Sequence, residues 1–102
     1  MFKRLLPCIL ALAVAAPMPA AATVTSDEGV TYDQQRNRYG VVLRAGDDVI
    51  YLGVSCDVLS EARGEGKWAT TSDQVILDFF DRSLSLQPIG QFVGRDIAEC
   101  AL

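Results

Sequence analysis

The chain has 102 residues, half of them hydrophobic, with no His, three Cys and a formal net charge of −4. That length accommodates one domain. The missing His excludes Ser-His-Asp and Cys-His catalysis and any His-ligated metal, and an acidic chain without a basic cluster excludes nucleic acid as the expected partner, because that affinity rests on Lys and Arg neutralising phosphates.

Residues 1–22 differ from the rest. Met1-Phe2-Lys3-Arg4 is a short positive segment, Ile9 to Ala16 is apolar, Pro17 and Pro19 interrupt it, and Ala20-Ala21-Ala22 supplies the small residues of a cleavage site. The expectation is a signal peptide cleaved after Ala22, leaving Thr23 first in a single domain over residues 23–102. The apolar stretch falls short of the ~20 residues of a spanning helix, so no stable membrane insertion is expected after cleavage and the expected location is periplasmic or secreted, in a bacterium. Lys3 and Arg4 leave with the leader. The remaining 80 residues carry seven basic against 13 acidic side chains, a net charge of −6.

Cys8 leaves as well, so the exported domain keeps Cys56 and Cys100. An even pair in a small exported domain reads as one disulfide. It closes a loop of about 45 residues, which the chain-entropy model values at about 4 kcal/mol.

The remaining segments read as β. Residues 23–29 (TVTSDEG) are polar and are expected to form a loose arm. Val30-Thr31-Tyr32 is β-prone, and Gln34 to Arg38 reads as a polar turn. Tyr39 to Arg44 follows as a strand with Tyr39, Val41 and Leu43 on one face. Ala45-Gly46-Asp47-Asp48 is a turn in which Gly46 supplies a positive φ. Val49 to Val54 is so continuously apolar that it reads as a central strand covered on both faces. Ser55 to Ala62 is compatible with one helical turn. Val75 to Phe80 and the alternating Ser83 to Gln87 form a hairpin about Asp81-Arg82, Pro88 ends that strand, and Asp96 to Cys100 is a short last strand. Six strands with frequent turns predict an all-β antiparallel meander curled into a sandwich or small barrel.

Residues 55–74 form a long polar connection, and connections of this length are often binding loops. Arg63, Gly64, Glu65, Gly66, Lys67 and Trp68, the only Trp, are therefore the candidate protein-binding loop. The competing reading makes Gly64-Glu65-Gly66 a hairpin turn and Lys67 to Thr71 a strand, with Trp68 the largest side chain of the core, where Trp is usually found. No catalytic residues, metal site or cofactor are expected. Gly64-Glu65-Gly66-Lys67 lacks the spacing and the Ser or Thr of a phosphate loop. Asp78 and Asp81 are too differently placed for paired-carboxylate chemistry. Asp47-Asp48 and Asp27-Glu28 lack calcium-loop spacing.

Tyr51-Leu52-Gly53-Val54-Ser55-Cys56-Asp57, then Gly64-Glu65-Gly66-Lys67-Trp68, then Cys100 near the end resemble small exported proteins of Gram-negative bacteria that are themselves uncharacterised. The chain is also similar, more distantly, to periplasmic inhibitors of C-type lysozyme, although it lacks their Ser-Gly-x-x-Tyr-like motif and carries its first Cys later in the strand order. That similarity implies a compact β-barrel, a disulfide reaching the C-terminus, and a loop, here Gly64 to Trp68, that enters the enzyme's cleft. The function expected is a monomeric, non-enzymatic binding or accessory domain whose partner is a basic protein such as a lysozyme, drawn to a domain of charge −6. The alternatives are a small carboxylate-dependent hydrolase and a structural component of an envelope complex.

Overall fold

The computed structural model describes residues 22–102. The expected leader up to Ala21, with Cys8, lies outside the described residues. From there the chain forms β1 (Thr23–Ser26), β2 (Thr31–Asn37), β3 (Gly40–Ala45), β4 (Asp48–Gly53), β5 (Asp57–Ser60), β6 (Gly64–Thr70), β7 (Val75–Phe79) and β8 (Ser83–Gln87). Each strand pairs antiparallel with the next, and β8 returns to β1 through Thr25↔Gln87 and Ser26↔Leu86. The all-β meander is thus a closed barrel, with eight strands among the described residues rather than six.

Three strands, β1, β5 and β6, lie where polar composition suggested none, and the expected last strand over Asp96 to Cys100 is absent. Residues 23–26 are not a loose arm. Val24 is fully buried opposite Tyr32, and β1 covers the edges that β2 and β8 would otherwise leave unpaired. Gln34 to Asn37 are not a turn but the second half of β2, because Gln34 and Arg36 spend their polar groups on chain that crosses the barrel end. The Ser55–Ala62 segment holds β5 in place of a helical turn, with Val58 and Ser60 buried and Asp57 and Leu59 facing out. The expected turn at Gly46 is present, at φ 62°.

Alternation sends one face of every strand inward. Leu43, Ile50, Leu77, Leu84 and Leu86 are wholly inaccessible. The outer wall carries Thr25, Asp33, Gln35, Arg44, Lys67 and Asp78, all exposed. An apolar inside with an outer wall that is polar away from β3–β5 is unlike a lipid-embedded barrel, and strands of four to seven residues are shorter than the ~9–11 that such a barrel needs. No helix among the described residues is long and apolar enough to cross a membrane.

One end of the barrel is closed by residues 88–102, which form a strap rather than a last strand. Ile89–Gln91 and Ala98–Cys100 are short 3-10 turns, and only Ala101 makes a bridge, parallel to Thr70. Gln34 clips the strap on both sides: its Nε2 donates to the Gln91 carbonyl at 2.8 Å and its Oε1 accepts from Val93 N–H at 3.0 Å. Arg36 donates to the Val93 carbonyl and to Asp96, whose carboxyl it holds below the usual range. Phe92 is fully buried and meets Trp68 edge-on at 5.7 Å between ring centroids. Cys56 and Cys100 are bonded, with Cα atoms 5.4 Å apart, so the strap is stapled to the β4–β5 turn. Cys56 takes φ 70°, a left-handed conformation costing about 1 kcal/mol in a residue other than glycine.

The staple is expected to supply up to about 4 kcal/mol. In thermal unfolding, reduction or Cys100→Ser lowers Tm by about 15–30 °C for a domain of this size. A shift below about 3 °C would show that the packing of Phe92 and Ile97 holds the strap alone.

Candidate functional site

The other end, the mouth of the barrel, is framed by the β1–β2, β3–β4, β5–β6 and β7–β8 turns. Its floor is a charged cluster. Arg63, at the end of the β5–β6 turn, folds inward and leaves only 9% of its side chain exposed. Its Nη1 and Nη2 donate to the two oxygens of Asp48 at 2.9 and 3.0 Å, a bidentate pair. Tyr32 rises from β2 and donates its hydroxyl to Asp48 Oδ2 at 2.6 Å. Ser60 Oγ lies 3.4 Å from Arg63 Nη1, and Glu28 stands 3.8 Å away. Arg63 Nε is buried without an acceptor. The Arg63 guanidinium holds the Asp48 carboxyl below its ordinary range, and burial, helped by Asp48, pushes the Tyr32 phenol up to about 12. The cluster ties three of the four mouth turns to the barrel wall.

The candidate binding loop is not a loop. Gly64 to Thr70 is strand β6, and the turn is Glu61-Ala62-Arg63. Gly66 marks a close approach instead of a bend, since a Cβ there would strike the Asp78 carbonyl of β7. Trp68 is 2% exposed, and its Nε1 donates to the Gly53 carbonyl at 2.8 Å, so it is core. Arg63 faces the mouth, whereas Glu65 and Lys67 face solvent on the outer wall. These six residues therefore serve three different environments.

Two surfaces escaped the sequence reading. The first is the mouth rim, where Phe80 is 99% exposed in the β7–β8 turn. The second is the outer face of β3, β4 and β5. The expectation that Val49 to Val54 is covered on both faces fails here, because a single-layer barrel has only one inside. Tyr51 is 49% exposed, paired with Val42 on one side and with Leu59, 48% exposed, on the other. Tyr39 and Val54 continue the patch toward the strapped end. Between them Gly40 and Gly53 offer no side chains, and with the Asp57 carboxylate lying over Gly53 they line a shallow depression of about 530 Å³. Continuity of apolar residues in 49–52 was the available signal for this patch.

Acid and base both threaten the mouth cluster. Asp48 has its folded pKa depressed, so its contribution is present above the unfolded value of about 3.9 and is lost as pH falls through the folded one. Tyr32 has its folded pKa raised, so its contribution is present below about 10 and is lost as pH rises toward 12. A phenolate absorbance titration is expected to show a late phase near pH 12 that Tyr32→Phe removes. Arg63→Ala should cost about 2–3 kcal/mol in denaturant unfolding, less than the ~3–5 kcal/mol of a fully buried pair because Asp48 keeps a quarter of its side chain in water; a change below about 0.5 kcal/mol would reduce the cluster to a surface ion pair. For Trp68, blue-shifted emission resistant to aqueous quenchers is expected, and red emission would return it to an exposed loop.

No family model, curated protein or solved structure matches the chain.

Proposed function

We propose that the chain is an exported, non-enzymatic binding domain whose partner is a basic protein, with a C-type lysozyme as the sharpest case. The observation that carries this reading is the charge around the mouth. Its turns and flanking residues hold Asp27, Glu28, Asp47, Asp48, Glu61 and Asp81 against Arg63 and Arg82. Four of the six net negative charges of residues 23–102 thus gather at one end. Arg63 is absorbed by Asp48, and Arg82 stands 3.9 Å from Asp81. A concentrated field of one sign speeds encounter with an oppositely charged protein, and an exposed aromatic at its edge is the residue type that anchors interfaces. Contact through the rim and Phe80 replaces the loop Gly64 to Trp68, which the barrel uses as a strand.

Export rests on the leader pattern of residues 1–22 and accords with the Cys56–Cys100 disulfide, which suits an oxidising compartment. Binding is favoured over hydrolysis by the placement of the carboxylates. Asp57, Glu61, Glu65, Asp78 and Asp81 are all exposed and are spread over β5, β6, β7 and two turns. The remaining alternative, a piece of a larger envelope assembly, is favoured by one observation, the apolar outer face of β3 to β5.

The test is titration of the protein against a C-type lysozyme, read as binding and as cell-wall lysis. Micromolar or tighter binding that weakens with added salt is expected, and Phe80→Ser, Asp47→Lys and Asp81→Lys should each weaken it about tenfold. Undiminished lysis at micromolar excess of the protein overturns the lysozyme assignment.

A further inference from the structure

The outer face of β3, β4 and β5 has a symmetry that its residues make visible. Three strands lie side by side with β4 in the middle. In one cross-strand row, Val42, Tyr51 and Leu59 are register partners and all apolar. In the next row toward the mouth, Arg44 pairs with Val49 on one side, and Glu61 lines the same surface depression as Val49 on the other. That row therefore reads positive, apolar, negative from β3 to β5. Arg44 and Glu61 are both exposed, and neither makes an ion pair among the described residues.

We propose that this face binds a second copy of the chain about a two-fold axis running along β4. Such an axis lays β3 of one copy over β5 of the other. Val42 then meets Leu59, the two Tyr51 rings pack beside the axis, and Arg44 meets Glu61 twice. The depression beside Gly40 gives the Tyr51 rings room, next to the Asp57 carboxylate that lies over Gly53. An isologous contact demands a self-complementary patch, and a row charged oppositely at its two ends with an apolar centre is self-complementary under this axis alone. A two-fold axis across the strands would set Arg44 over β3 and Glu61 over β5, with no opposite charge facing either. The patch is small against the ~1,200–2,000 Å² of a stable interface, so the dimer is a weak one. Both acidic mouths then open to the same side, and their repulsion is screened beyond about 8 Å at physiological ionic strength. This replaces the monomer expected from sequence and does not depend on the identity of the partner at the mouth.

The experiment is sedimentation equilibrium of the protein, produced from its full sequence, at concentrations up to about 0.5 mM, where complexes of millimolar-range affinity become visible. A concentration-dependent dimer is expected. Tyr51→Ser, Arg44→Glu and Glu61→Arg should each weaken it at least tenfold, and the double variant Arg44→Glu/Glu61→Arg should recover affinity to within about threefold of the parent. Blue Trp68 emission in every variant verifies that the barrel is intact. A protein monomeric throughout, a dimer indifferent to Tyr51→Ser, or a double variant no better than the two singles overturns the proposal. The last two outcomes place self-association elsewhere, and the first leaves the face to a different protein.

Discussion

Eight short strands enclose an interior about one layer of side chains from each wall, and water reaches it through either end unless something bars the way. The chain bars the two ends by opposite means. At one end it lays down residues 88–102, an apolar strap that buries Phe92 and Ile97 and is held by Gln34, Arg36 and the disulfide. At the other it draws Arg63 down onto Asp48 and Tyr32. The first seal is tied by a covalent bond. The second consists of charge, and a buried ion pair is weak evidence for stability because the desolvation of both partners offsets their attraction. Its gain is geometric: three turns are held in one arrangement, and the rim keeps a fixed outline.

What could be read in the sequence follows the same division. Strands whose alternation is clean, such as Ser83–Gln87, were legible, as were the Gly46 turn and the disulfide. In the polar segments the departures share one physical cause: side chains that local sequence gives to solvent are used by the fold on chain far away. Gln34 and Arg36 looked like a turn because their partners, Gln91, Val93 and Asp96, lie more than fifty residues on. Thr23 to Ser26 looked loose because its value lies in closing the β2 and β8 edges. Arg63 belongs to the expected binding loop, and its inward fold is not legible locally, since nothing near it in sequence announces that Asp48 and Tyr32 gather beside it. The mouth as a charged ring was invisible for the same reason, its carboxylates coming from four turns that only the closed topology brings to one end.

The interior is packed with buried aliphatic and aromatic side chains, and the two surfaces described above lie on the outside. The rim and the β3–β5 face differ in kind. The rim is charged and acts at a distance, so it governs how fast an oppositely charged body arrives. The sheet face is apolar and acts at contact. A molecule that uses both gathers first by charge and then by area, and the two contributions respond to salt differently.

The position of the chain ends has a consequence for how the domain faces its surroundings. Ala22 accepts a hydrogen bond from Gln34, and Leu102 donates its N–H to the Thr70 carbonyl, so the described chain enters and leaves at the strapped end. Anything joined there, whether a tag, a solid support or further polypeptide, lies behind the barrel and points the mouth outward. Tethered by either terminus, the domain is presented like a cup held by its base.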